Sequence, residues 1–322
     1  MNKMKKIIGL ICFSLSQIGS LISQDMGLQR IMVAPYLSSN LKVSNEASAI
    51  LIDKMTLALT NQGISASPFN SRFILTANVV VLSKDVLPSA PAMYSYELGI
   101  TFYLGDGING TKFCNLSRNV IGVSTSDSRS QVEAIKKLKL AGDDFNNFIG
   151  IGKKRIIDYY NNMCNTIINE SRVLVSQNEF SRAIYKLMSV PDACSVCYDK
   201  CLTEVSSVYK KKINYECEGI LNQAKNVWMS NMNYNGANQV GTLLNQIDPN
   251  ASCFAQAQKL RDEIKVRLMQ IDNREWNFKW ETEIGLQRDA IKAARDIAVA
   301  YAENQPDLLI YSSTSYNIIG WW

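Results

Sequence analysis

The sequence predicts an α+β protein: an N-terminal β-α-β-β-β-α sheet-and-helix domain followed by an all-α domain. Strand patterns and helical patterns alternate up to about residue 140, whereas strand patterns are lost from about residue 145 until the C-terminal segment. The 322 residues suffice for about two domains at ~150 residues each. Hydrophobic residues make up 47% and charged residues 20%, which indicates a globular protein.

The first strand and the first helix are marked by their flanking residues. An apolar run over 30–36 predicts a short strand that ends near Pro35. Apolar residues at helical spacing predict a helix over Ser44–Thr60. Ser44 is a suitable N-cap for this helix, and Gly63 is suited to stop it.

Three further strands complete the predicted sheet. A β-branched run predicts a central strand over Phe73–Leu82, and a proline-rich connector, Leu87–Pro91, leads to an alternating, half-buried strand over Met93–Leu104. The fourth strand is predicted over Lys112–Val123. A short helix then follows, capped by Ser126 or Ser128.

The turn between the last two strands spells Gly105-Asp-Gly107-Ile-Asn-Gly110, which matches the GxGxxG dinucleotide-binding pattern. That function requires a helix directly after the glycines, so that phosphate can bind at its N-terminus. A strand pattern follows instead. We therefore interpret the motif as a glycine-rich hairpin turn.

The second half contains an internal repeat. Phe180 and Ala183 precede Pro191 in the same way as Tyr234 and Ala237 precede Pro249, with an offset of 54 residues for the aromatic and the alanine. An aromatic, a small residue and a closing proline are typical of tetratricopeptide-like (TPR-like) helical hairpins, which bind proteins. Helices are predicted at 156–175, 179–190, 194–213, 216–229, 236–247, 253–267 and 275–303.

The N-terminus has the layout of a secretory signal peptide. Lys3, Lys5 and Lys6 precede a short apolar run, and small residues follow it. Cleavage after Ser23 predicts a periplasmic or secreted protein; an uncleaved anchor or a buried helix are the alternatives. The predicted organisation is a signal peptide at 1–23, an α/β domain at 24–141, a helical domain at 142–304 and an aromatic segment at 305–322.

Charge and histidine content exclude several functions. The net charge is +5, and removal of the three signal-peptide lysines leaves +2, so we expect no nucleic-acid partner. The chain has no histidine, which excludes histidine-based catalytic triads and histidine-ligated zinc. We predict that the protein is not an enzyme and has no cofactor.

The cysteines allow three interpretations. Cys194, Cys197 and Cys201 are spaced along one face of a helix, as buried core residues would be. In an exported chain, Cys194 or Cys197 could instead form a disulfide with Cys217 or Cys253. Thiolate ligation of a metal is the third interpretation. We predict core or disulfide cysteines, and no metal.

Aromatic side chains are the predicted contact residues for protein partners. Trp276 and Trp280 are expected one turn apart on the last helix. The apolar C-terminal segment ending Trp321-Trp322 is expected to dock on the chain's own domain or on a neighbouring subunit, with a membrane interface as the third alternative. The complete predicted set is Tyr94, Tyr96, Trp276, Trp280, Trp321 and Trp322.

Residues 28–141 resemble a family of periplasmic domains. The resemblance rests on the opening Arg30–Pro35, the helix Ala47–Thr60, the strand Phe73–Val81 and the tyrosine-rich strand that ends in Gly105-Asp-Gly107; a serine-rich entry to the closing helix, Ser124–Leu140, completes it. The family includes the curli secretion channel CsgG, the lipoprotein LpoB and the N-terminal domain of TolB. The lipidated cysteine of its lipoprotein members and the channel's membrane hairpins have no match here. The resemblance implies an envelope domain that binds partners or assembles into rings, without chemistry.

The functional expectation is a non-enzymatic envelope assembly protein. It would bind other protein subunits, form a homo-oligomer and contact the cell envelope peripherally. The alternative is a phage virion structural protein, such as a tail ring or connector subunit assembled in the cytoplasm, which would keep its N-terminus and reduced thiols. A cysteine-ligated metalloprotein is the third hypothesis.

Overall fold

The predicted α+β class is confirmed by the computed structural model, which contains one four-stranded sheet followed by a long helical region. The signal-peptide prediction at 1–23 and Trp322 lie outside the described residues. The structure describes residues 31–65, 71–280, 287–303, 316–318 and 320–321.

The sheet has the predicted element order. Its strands lie side by side in the order β1-β2-β3-β4, with β1 parallel to β2 and the other neighbours antiparallel. β2 continues beyond its predicted end at Leu82, because its pairing with β3 extends to the start of that strand. The strands are β1 (Ala34–Tyr36), β2 (Phe73–Leu87), β3 (Met93–Asp106) and β4 (Thr111–Ser124).

Two helices are inserted in this order, α1 (Asn45–Asn61) after β1 and α2 (Asp127–Lys137) after β4. Their predicted caps are present. The Ser44 hydroxyl accepts a hydrogen bond from the Ala47 amide, and Ser126 is the cap of α2. Gly63, just beyond α1, has a φ of +67°, a conformation that glycine adopts without strain.

One face of the sheet packs against helices. At Gly122 of β4, an added methyl group would overlap the backbone of Ser130 in α2. At Gly152, on the next helix of the chain, an added methyl group would overlap the Leu104 side chain of β3. The alternation predicted for β3 therefore separates a helix-covered face from the opposite face. The fully buried β3 residues on the covered face are Leu98, Ile100, Phe102 and Leu104.

The helical region differs from the prediction at three places, the first being that its first helix begins at Asp143 rather than at 156. The helices predicted at 194–213 and 216–229 form one continuous helix of 36 residues. The residues between them, Asn214 and Tyr215, include neither glycine nor proline, so nothing interrupts the backbone hydrogen bonds. The observed helices are α3 (Asp143–Ser176), α4 (Phe180–Met188), α5 (Ser195–Ser230), α6 (Tyr234–Leu244), α7 (Phe254–Asp272) and α8 (Gln287–Glu303).

The helix predicted over 275–303 was wrong in its first part. Helix α7 ends at Asp272. Its C-cap, Asn273, has a left-handed φ of +47°, and residues 274–280 have no regular secondary structure. Burial alternates along this segment: Trp276 and Trp280 are buried, Phe278 is half-buried, and the residues between them are exposed. Such a two-residue period is typical of extended chain rather than helix.

The chain divides into two compact units. Of the described residues, the sheet unit contains those up to Asn162, Pro191–Val196 and the C-terminal ones from Tyr316. The helical unit contains Met163–Val190 and Cys197–Gln305. The first division therefore lies inside α3, whereas the domain boundary was predicted at 141, near the start of that helix.

Candidate protein interaction surfaces

The glycine-rich segment Gly105–Gly110, here called the glycine turn, is the hairpin turn between β3 and β4, as predicted. Asp106 is fully buried beneath it. One carboxylate oxygen of Asp106 accepts hydrogen bonds of 2.9 Å from the amides of Ile108 and Asn109. The other accepts 2.7 Å hydrogen bonds from Arg72 Nε and from the Tyr160 hydroxyl. The buried Asp106 carboxylate therefore holds the backbone of the turn in place.

Burial raises the pKa of Tyr160, the phenol that donates to Asp106. The phenol therefore remains a hydrogen-bond donor throughout the physiological pH range. Arg72 is adjacent, with its guanidinium 5.7 Å from the Tyr160 ring centroid. This arrangement stabilises a turn shape; it does not place a reactive group at the surface.

Residues of the C-terminal segment lie on the glycine turn. The described ones, 316–318 and 320–321, are here called the tail. The Asn317 amide donates a 2.7 Å hydrogen bond to the Gly107 carbonyl, and Trp321 Nε1 donates a 2.9 Å bond to the Gly110 carbonyl. Lys112 Nζ donates to the Trp321 carbonyl at 2.9 Å. These three bonds join the tail to the glycine turn and to the start of β4.

The three glycines of the turn are needed for this contact. A methyl group added at Gly105 would overlap the Trp321 indole, and one at Gly107 would overlap the Tyr316 ring. Gly110 has a φ of +74°, and a methyl group there would approach the Asn317 carbonyl oxygen to 2.9 Å. The glycines thus admit the tail as well as forming the turn.

The tail rings pack on the sheet face opposite the helices. The Tyr316 ring lies edge-on to Tyr36, with 4.7 Å between centroids, and Trp321 lies 6.3 Å from Tyr103. Tyr36 and Tyr103 share this face because both lie opposite Thr76 in the strand register. We call the glycine turn together with Tyr36, Ser71, Tyr103 and Lys112 the tail site.

The Tyr316 hydroxyl is buried at the tail site. It donates a 3.1 Å hydrogen bond to the Ser71 carbonyl. Burial raises the pKa of Tyr316 to about 12, with a smaller contribution from Tyr36. Docking of this side chain therefore requires the neutral phenol.

The predicted contact residues have different positions. Trp321 docks on the chain's own sheet unit. Trp276 and Trp280 are buried in the core of the helical unit rather than placed on the last helix. Trp276 Nε1 donates to Asn238 Oδ1 at 3.1 Å, and the ring forms part of the wall of a cleft of about 430 Å³. In this structure, therefore, Trp276 and Trp280 contribute mainly to the chain's own packing.

Tyr94 and Tyr96 lie near the start of β3, where Tyr96 is buried and Tyr94 half-buried. Lys84 Nζ lies 5.9 Å and 5.5 Å from their ring centroids. The same ammonium group donates a 2.8 Å hydrogen bond to Asp127, and this bond raises the pKa of Lys84 to about 12. Whether the two tyrosines contact a partner stays a prediction.

Sequence reasoning did not single out the outer edge of β2. β1 pairs with β2 as far as Thr76. Beyond it, from Ala77 to Leu87, no strand among the described residues pairs with that edge of β2. The only available signal was the unbroken apolar run at 79–82, which suited a central strand equally well. The exposed apolar side chains here are Val80, Val81, Leu82, Val86 and Leu87.

The two disulfides occupy matching places in the helical repeat. Cys164 of α3 pairs with Cys197 of α5, and Cys217 of α5 pairs with Cys253 at the N-cap of α7. Their Cα–Cα distances are 5.6 and 6.0 Å, within the usual range. Each bridge spans one short helix, α4 in the first copy and α6 in the second.

This pairing differs in part from the expected one. Cys217 and Cys253 are joined to each other, and Cys197 is joined to Cys164, which was not among the candidates. Cys194 is a buried free thiol whose pKa is raised to about 12 by burial. The repeat could have indicated the pairing, because each cysteine of the first bridge precedes its counterpart in the second bridge, Cys164 before Cys217 and Cys197 before Cys253, by nearly the 54 residues of the aromatic and alanine match.

The described residues contain one cluster of metal-ligating side chains. The sulfur atoms of Cys164, Cys197 and Cys201 lie within 4.8 Å of one another, and all three residues are buried. Two of these sulfurs form a disulfide, which removes them as thiolate ligands. Burial raises the pKa of the third thiol, Cys201, to about 11. With the disulfide formed, this cluster is structural.

No family model and no curated protein matches the chain. Two solved structures are similar to part of it. A candidate lipoprotein from Caulobacter crescentus CB15 is 14% identical, spans 35% of this chain and 88% of its own, and has a TM-score of 0.24. A minor lipoprotein from Acinetobacter baumannii is 17% identical, spans 39% and 95%, and also has a TM-score of 0.24. No function is transferred from this partial likeness.

Within the part of the chain that the structure describes, every helix is too short or too polar to cross a bilayer.

Proposed function

We propose that this protein is a non-enzymatic assembly protein of a bacterial envelope compartment, which binds other protein subunits and copies of itself. The observation that carries the proposal is the outer edge of β2 from Ala77 to Leu87, which pairs with no strand among the described residues. An edge strand offers a row of free backbone N–H and C=O groups to a strand from another chain.

The side chains along this edge favour protein contact. Val80 is 48% exposed and Leu82 is 51% exposed, although valine and leucine are usually buried. β4 is the strand at the opposite edge of the sheet, and its residue Ile121 is also exposed. A β2 edge that pairs with the β4 edge of another copy would produce a head-to-tail array, which closes into a ring if the rotation allows.

Location in an oxidising compartment is supported by the two disulfides of the helical unit, because disulfides persist in the periplasm and in secreted proteins. The signal-peptide pattern at 1–23 predicts the same location. A virion ring assembled in the cytoplasm would share the self-association but would contain reduced thiols. The state of the cysteines therefore separates the two functions.

We propose further that the first unit is CsgG-like and that the second unit is TPR-like. The β-α-β-β-β-α order supports a CsgG-like first unit. The fully buried Ala183 and Ala237, at equivalent positions in α4 and α6, support a TPR-like second unit. Absence of enzymatic activity is supported by the lack of histidine and by the raised pKa values of the buried thiols Cys114, Cys194 and Cys201, since a raised pKa suppresses the nucleophilic thiolate.

Substitution of Val86 by lysine tests the proposal. Val86 lies on the open β2 edge and is 59% exposed, so Val86→Lys should leave the fold unchanged while opposing strand addition. Val266→Lys on α7 is the matched control, because Val266 is 60% exposed and lies far along the chain from the sheet. Sedimentation velocity of the full chain measures association.

We expect Val86→Lys to weaken self-association at least tenfold, and Val266→Lys to behave as wild type. Equal association of all three proteins would show that β2 is not the interface. A wild-type chain that stays monomeric at every concentration would contradict self-assembly itself.

A further inference from the structure

We propose that the tail site binds the tail of a neighbouring copy of this chain, so that adjacent subunits are joined by exchanged tails. The inference rests on the proposed self-association and names one of its contacts. The ligand is an aromatic segment of the form Tyr-Asn-Ile-x-Gly-Trp, where the unnamed residue is outside the described part.

The tail site recognises a specific segment. It has a place for each tail ring, with Tyr36 beside Tyr316 and Tyr103 beside Trp321. It supplies three backbone acceptors, the carbonyls of Ser71, Gly107 and Gly110, to donors on the tail. It also supplies one donor, the Lys112 ammonium, for the Trp321 carbonyl. This combination of shape and hydrogen bonding is that of a peptide-binding site.

These contacts are the same whether the tail comes from its own chain or from another one. All of them join tail residues to strand and turn residues of the sheet unit, and the tail is separate in sequence from that unit: α8, the preceding helix, belongs to the helical unit. Exchange of an identical element between copies keeps every intrachain contact, which makes it an energetically accessible route to oligomers.

The connecting sequence is long enough for exchange. Twelve residues, 304–315, separate the end of α8 from Tyr316. At about 3.3–3.6 Å per residue, a chain of this length spans at most roughly 40 Å, which exceeds the ~30 Å diameter of a small domain. This connecting length is compatible with a tail that binds either its own tail site or that of an adjacent copy.

The exchange is directional, because each copy donates one tail and offers one tail site. A contact of this type is heterologous and propagates head to tail. It agrees in direction with the proposed pairing of a β2 edge with a β4 edge. The tail would thus act as a second connection between the same two neighbours.

The test is isotope-coded crosslinking of the full chain. Asn317 is exposed, and its side chain lies beside Gly110, so Asn317→Cys provides an attachment point for a benzophenone maleimide. The free thiols of the described residues are buried and would not be labelled in the folded protein. Equal amounts of ¹⁵N and unlabelled protein are mixed as monomers, concentrated and irradiated, and the crosslinked peptides are read by mass spectrometry.

Trans binding predicts that about half of the crosslinks between residue 317 and the glycine turn join a heavy to a light peptide. Crosslinks confined to peptides of one isotope, in a sample that does form oligomers, would show that the tail docks only in cis; the proposed function would stand and this inference would fall. Absence of oligomers would contradict the proposed function instead. Absence of any crosslink to the turn would contradict docking itself.

Trp321→Ala in the same background is the control. It removes the indole that packs on Tyr103 and donates to Gly110, and it should reduce same-isotope and mixed-isotope crosslinks at least tenfold. Crosslinks that persist in this variant would show that the label binds to the turn by itself, and would overturn an exchange inferred from mixed pairs.

Discussion

The glycines of the Gly105–Gly110 turn have two structural roles that the sequence pattern could not separate. The pattern identified a turn correctly, because strand residues follow it. The contact with Tyr316 and Trp321 could not be predicted, since it joins residues about two hundred positions apart and no local pattern encodes it. The sequence predicted that the C-terminal aromatics dock on the chain's own domain or on a neighbouring subunit, but it did not indicate that they dock on the glycine turn.

Replacement of Trp321 by alanine should release the tail. Loss of a buried tryptophan side chain costs about 3–5 kcal/mol in packing, and the hydrogen bond to the Gly110 carbonyl is lost with it. We expect the Asn317 amide, which donates to Gly107, to lose at least about a hundredfold of its protection against hydrogen exchange.

The control for this measurement is Asn317→Ala. Its side chain is exposed, and the substitution keeps the backbone amide that docks. Protection of residue 317 should therefore stay near wild type. Unchanged protection in Trp321→Ala would mean that the indole does not hold the tail in place.

The free thiols should resist alkylation in the folded protein. Burial raises the pKa of Cys114 and Cys201 to about 11 and that of Cys194 to about 12, so only a small fraction is thiolate near pH 8. The thiolate fraction rises as the pH approaches these values. Mass spectrometry after iodoacetamide treatment should show none of the three alkylated in native protein at pH 8.

In denaturant without reductant, these three should become alkylated, and after reduction the four disulfide cysteines should follow. Cys12 lies outside the described residues and is counted separately. Alkylation of Cys164, Cys197, Cys217 and Cys253 without reductant would contradict the disulfides and favour the cytoplasmic alternative.

At the scale of elements, local patterns predict the structure correctly, whereas a segment that fits two periods is predicted wrongly. Ser44 and Ser126 could be predicted as helix caps, because each hydroxyl accepts a hydrogen bond from an amide only three residues further along the chain. The sequence Trp-x-Phe-x-Trp at 276–280 fits a helical spacing of four and also an alternation of two. The second interpretation is correct, because Phe278 packs between the tryptophans, with centroids 5.1 and 5.4 Å away.

The disulfides clamp the two short helices, and their removal should destabilise the helical unit. In the chain-entropy model, a bridge that closes a loop of 36 residues, as Cys217–Cys253 does, contributes about 4 kcal/mol. We expect Cys217→Ser with Cys253→Ser to lower the free energy of unfolding by about this amount in urea titrations followed by circular dichroism.

Cys201→Ala is the matched control for the disulfide variant. Cys201 follows Cys197 by four residues as Ala257 follows Cys253, so alanine already occupies the corresponding position of the second copy. Its effect on stability should be less than half that of the double variant. Equal losses would show that cysteine packing, rather than the covalent bridge, stabilises the unit.

At the scale of the molecule, the α+β class and the element order could be predicted, because hydrophobic period and turn residues encode them. The open β2 edge could not, since it depends on how far β1 extends beside its neighbour. β1 pairs through only Ala34–Tyr36, while β2 continues to Leu87. That difference in length produces the surface on which the proposed assembly depends.

Native mass spectrometry of the full-length, natively produced protein tests this account most directly. The account predicts a complex whose mass is an integer multiple of the subunit; in Val86→Lys it dissociates to single subunits at protein concentrations at least tenfold higher than in wild type, and in Val266→Lys at the wild-type concentration. A single subunit at every concentration, with an unchanged spectrum in both variants, would contradict self-assembly through the sheet edge.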